Sequence, residues 1–465
     1  MEIKTDRFKK DLPGYIANTQ VRKNVKRATF LTLDKRSNTL NEFPQWEEWR
    51  EEVHLIKQGI IDNLDKNIEL FLQNAQKNGM KTYLAKDGQM ANSIVESIFK
   101  EHQAKKAVKS KSMLTEEIGL NHHLEKKGFE IVETDLGEYI LQLANETPSH
   151  LIGPAIHKTK EDVAQLFHEK LGIEYNDSPE YLTKAARKIL RDKFWEADIG
   201  ITGANFGIIE DGSIVLVENE GNARFTIASP KVHIILMGME KLIQNLKQLA
   251  RFLPMLCVSG NGQKMTGYIS INRGPRKEGE IDGPEHVYLI LVDNGRKKIW
   301  SDVHLRKSLY CIRCSACYNT CPVYRNIGGH AYGWVYQGPI GAVITPHLVG
   351  LKKAKHLPFA SSLCGSCTDI CPVKIPLHHL LLYNRNLIAR QKIASPEKLA
   401  FLGFKWMMNH HRIYRLLSGF GKSMVNTLQI KPAVSAWTSS REFPDIPKKS
   451  FRDIYKEMEQ GEENE

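Results

Sequence analysis

The sequence predicts an α/β domain with a largely parallel sheet, followed by a mainly α-helical module built around cysteines and a helical C-terminal region. Three observations carry this: strand–helix alternation from Lys81 onward, two related cysteine runs between Cys311 and Cys371, and an apolar, aromatic and basic stretch from Leu399 to Leu417. They divide the chain into an irregular lead-in (1–43), the α/β domain (44–296), the cysteine module (297–385) and a helical C-terminal region with an acidic disordered tail (386–465).

The lead-in is polar and basic with weak periodicity. Leu55, Ile60, Ile61, Leu64, Ile68, Phe71 and Leu72 recur at helical spacing and predict one long helix over Pro44–Asn78, stopped by Gly79. Lys81–Ala85 reads as a strand, Gly88–Gln103 as a helix, and Ala107–Val108 as a strand remnant. A helix ending at Gly128 and a strand at Phe129–Val132 follow. Asp177-Ser178-Pro179-Glu180 starts a helix that runs to about Phe194: proline suits the first turn, and a carboxylate suits the positive end. From Ala197 to Arg224 strand-forming residues alternate with glycines, so the backbone must turn tightly or approach a neighbour closely. Lys231–Met237 and His286–Asp293 are further strands, separated by a helix and the charged loop Asn272–Pro284. Ser395-Pro396-Glu397 opens the last apolar helix. Packing into a core is favoured for it over a membrane surface or a partner subunit.

Composition narrows the function. Hydrophobic residues are 42% and charged residues 25% of the 465, as in ordinary globular chains. No run of ~18 apolar residues predicts a membrane span. The segment Met1–Lys10 is charged and reads as no signal peptide, so a cytoplasmic protein is expected, soluble or peripheral at the membrane. The net charge of +12 is dispersed and lacks a nucleic-acid recognition motif; it suits an acidic electron-accepting partner or an anionic surface.

The chemistry lies in the cysteines. Cys311-x2-Cys314-x2-Cys317-x3-Cys321-Pro322 matches the bacterial ferredoxin run, and Cys364-x2-Cys367-x3-Cys371-Pro372 repeats it with Ser361 in place of the first cysteine. Such spacing lets a short turning backbone wrap a cubane cluster. A zinc site explains neither the third close cysteine nor the trailing Cys-Pro. In two-cluster ferredoxins the fourth cysteine of each run ligates the other cluster. Cys311, Cys314, Cys317 and Cys371 then form cluster 1, and Cys321, Cys364 and Cys367 form cluster 2. Both are expected as [4Fe–4S]. The second alternatively is [3Fe–4S], or carries a non-cysteine fourth ligand; Ser361 is preferred as a loop or cap residue. Cys257, in an apolar stretch, reads as a small buried hydrophobe.

The Gly200–Phe206 and Glu210–Asn222 segments resemble the LUD domain, whose fold is similar to the NagB/RpiA/CoA-transferase class. Joined to the cysteine module and to a tail with Trp437 and Pro444-Asp445-Ile446-Pro447, the chain resembles the LutB-type lactate-utilisation iron–sulfur family from about Pro44 to Lys449, including the missing cysteine at Ser361. That resemblance implies an electron-transfer component of L-lactate oxidation to pyruvate rather than an independent catalyst, working with a cysteine-rich redox subunit and a second LUD-domain subunit. The alternative is acyl or CoA-transferase-like chemistry, with clusters in a structural or sensing role. It would use Glu218 or Glu220 as nucleophile and Arg224 as a carboxylate clamp. Asp198, Thr202, Asn205, Glu210, Asp211 and Asn222 are polar candidates that glycine-rich turns also explain. The doublets His122-His123, His378-His379 and His410-His411 diverge on a helix and read as structural.

Overall fold

Runs too continuously apolar for a half-exposed sheet make the central strands. The computed structural model describes residues 3, 5–391, 396–417 and 449–462, which fall into two units, Met1–Arg390 and Gln391–Glu465. In the first, six strands pair entirely in parallel: β1 (Lys81–Ala85), β2 (Lys106–Lys109), β3 (Glu130–Glu133), β4 (Ile199–Thr202), β7 (Val232–Gly238) and β10 (His286–Val292), in the order β1-β10-β7-β4-β2-β3. Strands buried on both faces need apolar residues at every position. In β7 and β10, accordingly, Ile235, Met237, Leu289 and Leu291 enter one core and Ile234, Leu236, Ile290 and Val292 the other. A third core, around Tyr139, Phe167, Leu182 and Leu190, joins the helices Leu136–Ala144, Lys160–Leu171 and Pro179–Glu196.

A second, mixed sheet was not anticipated. Its strands β5 (Phe206–Ile208), β6 (Ile214–Glu218), β8 (Leu242–Ile243) and β9 (Tyr268–Asn272) run in the order β8-β5-β6-β9. Two- to five-residue strands carry too little periodicity to announce themselves. The core that this sheet joins continues through Tyr318, Val343 and Leu381, so the parallel sheet and the cysteine module pack within one unit.

Gly200 in β4 meets the close approach its neighbourhood predicts: a Cβ there would lie 1.9 Å from the Thr226 carbonyl oxygen. Gly200→Ala should therefore destabilise the fold by about 1–3 kcal/mol, seen as a lower thermal unfolding midpoint.

Three expectations are corrected in the first unit. The lead-in is helical, Thr5–Ala17 and Thr19–Leu40, not irregular. Asn18 caps the second helix by accepting the Val21 N–H at 3.0 Å. That helix contacts the helices Leu246–Asn261, Ala316–Thr320 and Pro322–Ile327, and contact with several neighbours blurs a single apolar stripe. The long helix over 44–78 is two, Trp46–Asp62 and Leu64–Lys77, broken at Asn63, and Leu55 is left 57% exposed. The helix expected to end at Gly128 is likewise two, Met113–Glu117 and Leu120–Glu125, divided at the left-handed Gly119.

The second unit, taken by itself, holds the helices Pro396–Asn409 and Phe451–Glu462 and a helical stretch at 411–417. Its acidic end is helical through Glu462 rather than disordered. Ser450 and Asp453 form a reciprocal capping box, and Lys449 pairs with Glu457 at 2.6 Å, which together offset the run of like charge. Within this unit Phe401, Phe404, Trp406 and Tyr414 are exposed. Ser395, Trp437, Pro444–Pro447 and residues 463–465 lie outside the described residues. Among the described residues no helix is long and apolar enough to cross a membrane.

Candidate metal centre and adjoining cleft

The two cysteine runs fold back on each other, and their thiols sort into two groups. Cys311, Cys314, Cys317 and Cys371 line one cavity, closed by apolar side chains including Leu151, Ile340 and Val373. Within this group Cys311 lies near enough to raise Cys314, Cys317 and Cys371, and Cys371 to raise Cys314 and Cys317. Cys364 in the same way raises Cys321 and Cys367, and Cys321 raises Cys367, so these three form the second group. The first run reaches around its cavity because Arg313 and Ser315 adopt left-handed backbone conformations, φ 63° and 59°. Non-glycine residues accept that strain where surrounding structure imposes it. The Arg313 N–H donates to Cys311 Sγ and the Ile375 N–H to Cys371 Sγ, each at 3.4 Å.

Burial, reinforced by neighbouring thiols, pushes Cys314 and Cys317 far above the ordinary thiol range, Cys371 up to about 11 and Cys367 up to about 12. Groups so placed give up their protons to a bound metal rather than to water. Among the described residues no three or more His, Cys, Asp or Glu side chains converge tightly enough for a single metal ion. The four thiols instead ring a cavity, the donor set and spacing that a multi-iron cluster fits. In the second group Cys364 is exposed while Cys321 and Cys367 are buried. Ser361 is engaged in its own turn: its hydroxyl accepts the Leu363 N–H at 3.1 Å and its carbonyl accepts from Arg385 at 2.9 Å.

Arg50 holds the Cys371 loop from outside. Its guanidinium donates to the carbonyls of Cys371 (2.8 Å) and Asp369 (2.7 Å), and His54 Nδ1 lies 2.9 Å from the Val373 carbonyl. Neither residue is conspicuous in sequence, because a backbone latch 321 residues away leaves no local pattern.

A cleft of about 320 Å³ opens beside the four-cysteine cavity, and Leu151 and Arg313 line both. Of the polar candidates read from sequence, Asn205, Glu218, Glu220 and Asn222 reach this cleft, as does the buried Cys257. The others have structural roles elsewhere. Asp198 accepts the Lys105 and Lys106 N–H groups, Thr202 bonds His233, Asp211 pairs with Arg273, and Arg224 lies over the Tyr268 ring. Glu210 is exposed, its carbonyl accepting from Asn74. Burial raises Glu218, although its carboxylate accepts the Ala223 and Arg224 N–H groups. Burial together with the charge of Asp135 pushes Glu220 up to about 7. The rings of His378 and His379 are only 3.9 Å apart, because side-chain torsions undo the divergence of their Cβ vectors.

The inner end of the cleft is a charge network missed in sequence. Arg296 grips Glu117 through two bonds of 2.8 Å and Glu240 through a third. Tyr336 and Asn294 also donate to Glu117, and Arg313 lies over the Tyr336 ring. Lys57 donates to the Glu240 and Leu242 carbonyls, and burial lowers its ammonium to about 7. Lys241 is lowered to about 8 by burial and by Arg313, and it lines the cleft. The sequence signal was Glu240-Lys241, one residue past an apolar strand.

Comparison with known proteins fits this layout. Residues 68–292 match the LUD domain, 307–375 the 4Fe-4S dicluster domain, and 389–460 the lactate utilisation protein B C-terminal domain. Lactate utilization protein B from Bacillus cereus (strain AH820) is 44% identical over 470 residues, covering 99% of both chains. The chain belongs to the lactate utilization protein B family. Members from Bacillus thuringiensis (strain Al Hakam) and Bacillus anthracis (strain CDC 684 / NRRL 3495) are equally similar, each 44% identical with 99% of both chains covered. A solved DUF162 family protein from Deinococcus radiodurans aligns over 49% of this chain and 98% of its own, at 12% identity and a TM-score of 0.28. The family's 4Fe-4S domain coincides with the two thiol groups, so the module is an iron–sulfur domain.

Proposed function

We propose that this chain is the iron–sulfur electron-transfer subunit of a complex that oxidises L-lactate to pyruvate, passing electrons between partner subunits. The observation that carries the reading is the sorting of seven thiols into four and three across two runs. Cys311, Cys314, Cys317 and Cys371 hold the first cluster, and Cys321, Cys364 and Cys367 hold the second. Bound there, the clusters supply one-electron acceptors, two of which match the two electrons released by a 2-hydroxy acid. The chain's own part is to hold and tune. The Arg313 and Ile375 N–H groups donate to ligand sulfurs, which raises the potential of the buried centre relative to one without such bonds. Exposure of Cys364 gives the second centre a route to a partner's surface. The partners would be a cysteine-rich redox subunit and a second LUD-domain subunit, in the cytoplasm or at the membrane face.

Deleting the gene in a host without another lactate oxidase should abolish growth on L-lactate as sole carbon source while sparing growth on pyruvate. Normal growth on lactate would sink the reading. Iron and sulfide analysis with EPR on anaerobic protein should find about eight irons for two [4Fe–4S] clusters, or about seven if the second is [3Fe–4S].

A further inference from the structure

Cations from four stretches of the chain ring the four-thiol cavity. On the helix Trp46–Asp62, Arg50, His54 and Lys57 recur at i, i+4 and i+7 and so share one face. That face lies along the cysteine loops. Arg50 and His54 hold the Cys371 loop by its carbonyls, and Lys57, next along the stripe, lies close enough to Cys311 for their charges to interact. Arg36, from the helix Thr19–Leu40, faces Cys314. Arg313 and Lys241 face Cys311 from the cysteine loop and the turn Met239–Lys241.

Carboxylates answer part of this charge. Glu47 holds Arg50 at 2.6 Å, and Glu240 is divided between Arg296 at 2.8 Å and Arg313 at 3.4 Å. Lys57 is 1% exposed, and its ammonium donates to the Glu240 and Leu242 carbonyls at 2.6 and 3.3 Å. Arg36 lies over the Trp46 ring, and its Nε is buried without a hydrogen-bond partner. A buried charge persists where a counter-charge sits near it. Here the thiolates are that counter-charge: Cys311 for Lys57, Lys241 and Arg313, Cys314 for Arg36, and Cys371 for Arg50. The three-thiol group is built differently. Cys364 opens to solvent, and Arg325, the cation beside Cys321, is half-buried.

An iron–sulfur centre bound by four thiolates is anionic and gains a further negative charge on reduction. Nearby positive charge therefore favours the reduced form, and more strongly in a buried site, where the effective dielectric is low. We propose that Lys57 and Arg36 set the reduction potential of the first centre, raising it by supplying counter-charge to the thiolates that hold it. Both are positioning residues: they ligate nothing and act through the charge they hold beside Cys311 and Cys314. The inference deepens the electron-transfer reading and rests on its four-thiol grouping.

The test is a redox titration followed by EPR on the full-length, anaerobically purified protein, the first signal being the one lost in Cys311→Ala. Lys57→Met should lower the first midpoint by about tenfold in the reduction equilibrium, which is about 59 mV for one electron. The second midpoint and the iron content should stay unchanged. Arg36→Met should lower the first midpoint as well, and Arg36→Lys, which keeps the charge, should restore most of it. A first midpoint unmoved or raised in iron-replete Lys57→Met would overturn the inference, as would an equal shift of both signals. Should Lys57→Met fail to fold or to load iron, the Arg36 pair decides: equal first midpoints in Arg36→Met and Arg36→Lys overturn it. A wrong grouping shows separately, because Cys311→Ala and Cys371→Ala would then erase different signals before any potential is read.

Discussion

Cys371→Ala should erase the same EPR signal as Cys311→Ala, although the two residues belong to different sequence runs, and each variant should retain about half the iron. Cys321→Ala and Cys364→Ala should together erase the other signal. The reason is the crossed arrangement: Cys371 shares a cavity with Cys311, Cys314 and Cys317, whereas Cys321 keeps company with Cys364 and Cys367. If Cys371→Ala instead removed the signal lost in Cys364→Ala, each run would hold its own cluster and the grouping would be wrong. Potentiometry extends the test. Arg50→Met frees the Cys371 and Asp369 carbonyls without removing a thiol. It should broaden and shift the first signal while leaving the second unchanged.

The largest effect on stability is expected from Arg296→Met. This guanidinium is buried and holds two buried carboxylates, so its loss strands Glu117 without a counter-charge and leaves Glu240 with only the longer contact to Arg313, at 3.4 Å. Breaking such a pair from one side costs about 3–5 kcal/mol. Tyr336→Phe, which removes one donor from Glu117, should cost about 1–2 kcal/mol. The pH dependence has a definite sign. Burial pushes the Glu240 carboxyl up, but Arg296 and Arg313 outweigh it and hold it at about 2, below its ordinary 4.5. A depressed carboxyl contributes stability that is fully present above the unfolded pKa and is lost as pH falls through the folded one. The parent should therefore lose this contribution between about 4.5 and 2. In Arg296→Met both carboxyls protonate more readily, so the gap between variant and parent in denaturant midpoint should narrow as pH falls toward 4.5. A gap independent of pH would show that the cost is packing and not charge.

Local rules made much of this protein legible before folding. Cysteine spacing encodes a wrapping loop, since the residues that must meet lie within a few peptide units. Apolar runs such as Val232–Gly238 and His286–Val292 declare strands buried on both faces. Gly200 declared a close approach, because only a residue without a Cβ fits beside the Thr226 carbonyl. Where the signal was short or shared among partners it failed: in β8, a two-residue strand, in the helix Thr19–Leu40, which contacts several neighbours at once, and in the acidic terminus, where a capping box prevailed over composition.

What the tertiary structure alone decided is which distant residues meet. Arg296 finds Glu117 across 179 positions and Arg50 finds Cys371 across 321. No periodicity records such pairs, because a charge is placed by the fold that buries it and not by its neighbours in the chain. The cleft beside the cluster cavity is of the same kind. Its carboxylates Glu218 and Glu220 come from glycine-rich turns that the sequence singled out, but its cations, Arg313 and Lys241, come from a cysteine loop and the short turn Met239–Lys241, which only folding brings together.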